Sequence, residues 1–442
     1  MKHKTMRRIA AVLTFFVLWA VVETCVRFFT EPMEQSWPMV REDRKAAEGT
    51  IDTAFIGASL FRNGIIPAVV DQALGSRSFN YSTSSQTMEL SYYALKDLTE
   101  TNPVKLALID ISVNRLLADG EDGAYISKFV LLSHMINRKA QLELLWDCFT
   151  LDELPLIVLH SARDQMHFFV DTFGMRLKAS YLRDYLKYGY VPDPTYPAGS
   201  MGYTPCYSAI ASGNVPIAAS LLDSAELDLN KDYNHLDQVI DLCKEKGITP
   251  ILVSMPTTDA YMLALNQYEA LMAPVLELAR QKGTLVLDFN LSKFRVSKLT
   301  AANFADERHL NNTGAELFTP VLTEVLQKVL AGEDTSGYFY GTYGEMIRNI
   351  QRVASIHCKV EKSEGGIVLQ ASSLHGSLVT PSYRFFYRSR GETETENRLL
   401  ESKGGRCDLI DLEPGVYTVR VEACSAPSAP CDVYSEKTIT ID

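Results

Sequence analysis

Three side chains in this sequence have the types and order of a nucleophile and its base. Ser59 closes the apolar run "IDTAFIGAS", and about 250 residues later Asp306 and His309 stand three apart in "DERHLNNTGAE". A carboxylate three residues before an imidazole on a tight turn can accept the Nδ1 proton. That leaves Nε2 free to take a proton from a serine hydroxyl. Such a set performs acyl transfer through a covalent serine ester. Each residue also has a plain structural use. A serine between a strand and a helix serves as an N-cap, and taken alone Ser59 reads more readily that way. Thr313 and Glu316 fit a capping box for the helix that follows, which leaves Asp306 and His309 as the part of the motif that helix formation does not require.

The flanking patterns describe what must carry these side chains. "IDTAFIGAS" reads as a short buried strand, at whose end a hydroxyl lies beside a helix N-terminus with N–H groups able to stabilise an oxyanion. Ile66, Val69, Val70 and Leu74 recur at helical spacing, with Pro67 in a first-turn position. "SFNYSTSSQT" is strand-like before it breaks into a hydroxyl-rich loop, "MELSYYALKDLTE" is an amphipathic helix, and "VKLALIDIS" is a third continuous apolar element. The rhythm returns with "HLDQVIDLCKEKG", "ITPILVSMP", "QYEALMAPVLELARQKG" and "TLVLDF". Strands alternating with helices in this way predict an α/β domain over residues 51–335, its parallel sheet covered on both faces in three layers. Apolar residues from Leu317 to Leu330 supply the buried stripe of its last helix, where Pro320 implies a kink or a late start.

Between about 116 and 230 the alternation is lost. This segment reads as a largely helical insertion over one end of the sheet, a lid or substrate wall. Tyr203 and its aromatic neighbours could line a sugar-binding wall, although packing is the commoner use of such rings. From 345 to 442, stretches such as "SYRFFYRSRG" and "LEPGVYTVRVEAC" alternate apolar and polar positions between turn residues. They predict a small antiparallel sandwich, immunoglobulin-like or fibronectin-like.

The chain has 442 residues, 46% hydrophobic and 22% charged, which is enough for more than one core. A net charge of -11, with no long basic run after the first eight residues, argues against nucleic acid as a partner. At the N-terminus Lys2, Lys4, Arg7 and Arg8 precede "IAAVLTFFVLWAVV", and apolar character continues to Phe29. Residues 1–30 are therefore a membrane anchor or a signal peptide. The absence of a small-x-small cleavage site favours the anchor, and the basic end keeps the N-terminus inside, with the body of the chain outside. Residues 31–50 read as a polar linker. Eight scattered cysteines make no disulfide framework, although Cys424 and Cys431 are close enough in sequence to pair. No CxxC and no i,i+4 histidine pair appears, so neither metal nor cofactor is expected. His134, His160, His167 and His235 read as surface or satisfied core residues.

"FIGAS" and "DERHLNNTGA" resemble the first and last blocks of the SGNH/GDSL hydrolase superfamily, in order and in separation. Two weaker blocks lie between them. "NYSTSSQT" resembles the second, with Ser85 where an oxyanion-hole glycine is usual, and "ISVNR" resembles the Gly-x-Asn-Asp block through Asn114. The resemblance implies a flavodoxin-like fold, with Ser59 as nucleophile, His309 as base, Asp306 as its orienter, and Ser85 and Asn114 as oxyanion donors. The departures are Ala58 for Asp, Ser112 for Gly and Arg115 for Asp. They resemble the exported, membrane-anchored branch that acylates envelope polymers such as teichoic acids and alginate. This implies an esterase or O-acyltransferase acting on acylated polysaccharide, with a multi-spanning membrane acyltransferase as a possible partner. The alternative is a non-catalytic scaffold of the same fold that binds glycan or assembles an acylation complex.

Overall fold

The computed structural model describes residues 2–30, 36–113, 121–158, 173–210, 213–215, 234–265, 267–363, 366–400, 402, 404–409 and 413–441. Two helices come first, α1 (Lys2–Thr30) and α2 (Trp37–Ala46). Residues 37–46 of the expected linker are thus helical, and α2 is fastened to the body of the protein. The buried Arg44 guanidinium pairs with the buried Asp97 carboxylate, which also accepts the Tyr81 hydroxyl at 2.7 Å.

Five short strands follow: β1 (Thr53–Gly57), β2 (Ser78–Ser82), β3 (Leu106–Asp110), β4 (Thr249–Ser254) and β5 (Leu285–Asp288). All neighbours are parallel, in the order β2-β1-β3-β4-β5. Parallel strands need both faces covered, and the period-two direction of strand side chains divides these runs between two cores. Ala54, Ile56, Ala107, Ile109 and Leu252 face α5 (Met88–Thr99) and the helices Asn234–Glu245 and Tyr268–Lys282. Phe55, Leu106, Leu108, Ile251, Val253 and Leu287 face α3 (Ser59–Gly64), α4 (Pro67–Leu74) and the closing helix Asn312–Leu330. Pro67 occupies the first turn of α4, where its missing N–H costs nothing.

The closing helix departs from its sequence reading in three ways. Its N-cap is Asn311, whose side-chain oxygen accepts Gly314 N–H at 3.0 Å, so no Thr313–Glu316 capping box forms. Thr313 instead donates to Asn311, and Glu316 accepts from the Asn312 amide. Pro320 lies within one helix rather than marking a late start, and Leu317 and Leu330 are exposed. The buried stripe is Phe318, Leu322, Val325 and Leu326.

The described parts of the insertion hold the helices Glu121–His134, Arg138–Cys148, Leu154–Val158 and Ala179–Tyr188, followed by an extended strap. The strap covers the β2 edge, where Asn80 N–H donates to Met201 O at 2.8 Å. Gly202 lies at φ +91°, and a β-carbon there would sit 2.0 Å from Asn80 O, so only glycine allows this approach.

The C-terminal strands form two antiparallel sheets. One contains β6 (Val353–Ser363), β7 (Gly366–His375) and β10 (Arg406–Leu409). The other contains β8 (Ser382–Ser389), β9 (Arg398–Leu400), β11 (Gly415–Cys424) and β12 (Val433–Ile441), in the order β12-β11-β8-β9. Ile356, Leu369 and Cys407 of the first sheet share a core with Phe385, Val419 and Val421 of the second. The Tyr417 hydroxyl donates to Glu413 O at 2.8 Å and ties the start of β11 to the turn before it. All eight cysteines are free thiols, so the Cys424–Cys431 pairing is not formed. Cys431 Sγ turns to the Val433 carbonyl instead.

A buried charge holds this unit to the sheet domain. The Asp259 carboxylate accepts Arg295 Nη1 at 2.5 Å and, from just ahead of β6, Arg352 Nε at 2.6 Å. Removing the shared partner strands two guanidinium groups. Asp259→Ala is expected to cost about 3–5 kcal/mol, read as a lower Tm and earlier proteolysis between residues 350 and 360.

Candidate active site

The carboxyl ends of β1, β2 and β3 lie side by side, with Gly57 opposite Ser82 and Ile56 opposite Ile109. The chain leaves β1 towards β2 on one side and reaches β3 on the other, so the crevice between β1 and β3 is the topological switch point of the sheet. Ligands of open α/β sheets bind there. Ser59 sits at this point, as the first residue of α3. The N-cap is Ala58, which makes no side-chain cap, so the N-cap reading of Ser59 does not hold. Its hydroxyl is engaged elsewhere.

Ser59 Oγ lies 2.7 Å from His309 Nε2. His309 Nδ1 lies 2.8 Å from Asp306 Oδ2 and 3.0 Å from Oδ1. The structure thus brings Ser59, His309 and Asp306 together in one line. The loop that carries the pair is closed at its base by a bridge between Phe304 and Leu310 and by Ala305 N–H donating to His309 O at 2.8 Å. Thr258 fastens its tip, its N–H and hydroxyl both donating to Glu307 O. Within the loop, Asp306 Oδ1 also accepts the backbone N–H groups of Arg308 and His309, each at 2.9 Å. Burial alone would raise the Asp306 pKa. The hydrogen bond and charge of His309 and the two backbone donors outweigh it and hold the carboxyl well below the usual carboxylate range. Ionised Asp306 fixes the proton on Nδ1, which leaves Nε2 as the acceptor facing Ser59.

Ser85 lies in the turn after β2 at φ +50°, in the left-handed region that favours glycine. Neither Ser85 N–H nor Ser59 N–H has a hydrogen-bond partner among the described residues. Asn114 and Arg115 lie outside the described residues, as do His160 and His167. Ser112 is buried, and its hydroxyl accepts Met255 N–H at 3.1 Å. His134 is a core residue with Nδ1 2.8 Å from Val130 O, and burial lowers its pKa to about 4. Tyr203 is buried with its hydroxyl on Asn312 Oδ1 at 2.9 Å, so its main use is packing.

Two residues of the site escaped the sequence reading. Asp110, at the end of β3, is fully buried and spans the switch point, accepting Ala58 N–H at 3.3 Å and Ser112 N–H at 2.9 Å. A lone acid closing an apolar strand was the available signal. Gly57 is what lets it in: a β-carbon at Gly57 would lie 2.5 Å from Asp110 Cβ. Gly57→Ala is therefore expected to destabilise by about 1–3 kcal/mol through overpacking and to lower turnover by displacing the Ala58–Ser59 turn. Thermal melts and ester kinetics on one preparation check both effects.

Arg62 is the second. It lies one helical turn after Ser59, and Nη1 donates to Ser84 Oγ at 2.7 Å, joining α3 to the turn that carries Ser85. Burial lowers its pKa, an effect opposed by Cys206 and Asp193. The strap completes this wall, with Thr204 N–H donating to Arg62 O at 3.0 Å and Asn312 N–H to Cys206 O at 2.6 Å.

No family model and no curated protein matches the chain. Among solved structures it is similar to a lipase/acylhydrolase from Enterococcus faecalis, at 10% identity over 63% of this chain and 97% of that one, with a TM-score of 0.30. It is similar to a GDSL-like lipase from Bacteroides thetaiotaomicron, at 8% identity over 66% and 98%, also with a TM-score of 0.30. A carbohydrate acetylesterase from Sinorhizobium meliloti aligns at 10% identity over 63% and 100%, with a TM-score of 0.27. At these scores the likenesses are distant, and the chemistry of the site rests on its own geometry.

Proposed function

We propose that this chain is an SGNH-type serine esterase or O-acyltransferase that forms an acyl-enzyme at Ser59. The observation that carries the reading is the Ser59 Oγ–His309 Nε2 distance of 2.7 Å, with Asp306 on the far ring nitrogen. His309 Nε2 takes the hydroxyl proton as Ser59 Oγ attacks the ester carbonyl carbon. The oxyanion is held by the N–H groups of Ser59 and Ser85 and by the Asn114 amide. Collapse expels the alcohol, which receives its proton from His309, and leaves the acyl group on Ser59. Water or a glycan hydroxyl then attacks, giving up its proton to His309, and the acid or the new ester departs as Ser59 is reprotonated. The residues balance both half-reactions without a cofactor.

The substrate we assign is an acyl ester, acetyl foremost, of a cell-envelope glycan, with the sheet domain on the outer side of the membrane. Supporting this are the 22-residue span Thr5–Val26, whose most apolar stretch is unburied, and the basic residues around its start, Lys2, Lys4, Arg7 and Arg8. At 1.5 Å per residue the span covers about 33 Å, the thickness of a hydrocarbon core. We read the C-terminal unit as a fibronectin-like sandwich. Its first, second and fifth strands form one sheet and the other four the second, and Tyr417 makes the corner bond of such folds.

A fluorophosphonate probe tests the reading. It is expected to label the full-length protein at Ser59, located by peptide mass spectrometry. A protein that is never labelled and never turns over acetyl esters is the non-catalytic scaffold instead.

A further inference from the structure

The end of α1 is built into the insertion. The Phe28 ring meets Tyr181 at 5.7 Å and Tyr185 at 4.9 Å, both edge to face, and Phe29 stacks on Phe173 at 5.4 Å. Arg176, fully buried, donates to the Phe28 carbonyl at the helix end and to the Tyr181 hydroxyl at 3.3 Å. The apolar span ends at Val26, so Phe28 lies two residues, about 3 Å of helix rise, beyond it. Whatever touches Phe28 is therefore at the level where hydrocarbon gives way to headgroups.

The segment that touches it has the composition of that level. In "FGMRLKASYLRDYLKY", Phe173, Met175, Leu177, Leu186 and Tyr188 are all exposed, Leu186 at 82%. Lys178, Arg183 and Lys187 lie among them on the surface against one acid, Asp184. The helix Ala179–Tyr188 stops on Gly189 at φ +78°. Aromatic rings beside the end of a span, with apolar side chains and cations interspersed along the segment that leads into and forms a short helix, suit the boundary between headgroups and acyl chains. In water the same side chains would stand unburied on a segment packed against the end of the anchor.

We propose that residues 173–188 are an interfacial docking element, which lays its apolar side chains into the bilayer surface beside α1 and holds the sheet domain against the membrane. The partner is the phospholipid surface itself, and the excess of cations favours anionic lipid. This inference rests on α1 being a membrane anchor, and the experiment separates the two.

Full-length protein is reconstituted into phosphatidylcholine–phosphatidylglycerol bilayers whose acyl chains are brominated near the headgroup. In a background with Trp19, Trp37 and Trp146 changed to Phe, Leu186→Trp reports on the helix, and Leu399→Trp, on the exposed β9, is the control. Quenching of roughly half the Leu186→Trp emission, with the control unaffected, is the expected result for a side chain at that depth. Tyr188→Trp gives the same reading should the first variant fail to fold. Emission at 186 or 188 no more quenched than at 399 overturns the docking element. If a variant retaining only Trp19 is quenched in the same bilayers, the anchor survives that failure; if it is not, both fall together.

Discussion

Ser59→Ala is expected to lower kcat/KM for a small acetyl ester by about 10⁴- to 10⁶-fold and to abolish fluorophosphonate labelling, with no change in Tm beyond a fraction of a degree. The size of the effect follows from the chemistry. Without Oγ no acyl-enzyme forms, and what remains is the catalysis of an oxyanion site acting on water. The small stability change follows from the packing, because Ser59 is half-buried and its hydroxyl caps no helix. The hydroxyl's side-chain partner is His309. A variant that keeps its labelling would show that another nucleophile is at work.

Asp306→Asn is expected to cost about 10³- to 10⁴-fold in kcat while KM stays within a few-fold. An asparagine amide at this position donates to Nδ1, which moves the ring proton to Nε2 and removes the acceptor facing Ser59. The pH profile sharpens the test. The Asp306 pKa is depressed in the folded protein, so its contribution to stability is present above the unfolded carboxylate value of about 3.9. It is lost only as pH falls through the lower folded value. The side chain is 45% exposed, so solvent screens this contribution to stability. For catalysis, an Asp306 that stays ionised cannot produce an acid limb of kcat/KM between pH 5 and 7.

Much of this architecture is legible in the sequence. The strand–helix alternation predicted a parallel sheet, because buried parallel strands are continuous apolar runs and the intervening helices carry stripes. The two cores divide Ala54 and Ile56 from Phe55 along that period of two. Gly247 and Gly283, the last residues of the patterns "HLDQVIDLCKEKG" and "QYEALMAPVLELARQKG", both lie at positive φ beyond their helices. The errors were local. Asn311 won the cap from Thr313 because Asn, Ser and Thr compete for the same N–H groups and the extended backbone at Asn311 aims its side chain at Gly314. Residues 37–46 read as a linker because five charged residues stand in a row from Arg41 to Lys45. What seats α2 is Val40 in the core together with the buried Arg44–Asp97 pair, and hydropathy is blind to the second of these.

The sequence by itself determined the kinds of chemistry available: a serine at a strand end, a carboxylate three residues before a histidine, an apolar span behind a basic end. These are properties of residue type and short spacing, which need no fold to be read. Only the tertiary structure decided which of them meet. Strand order brings the ends of β1 and β3 together at the switch point, the bridged loop from Phe304 to Leu310 turns His309 onto Ser59, and Asp110 enters only because Gly57 has no side chain. The join between Phe28 and Tyr181 is of the same kind. Contacts between residues so far apart in the chain, Gly57 with Asp110 or Ser59 with His309, depend on where the whole backbone goes, and no local pattern encodes that.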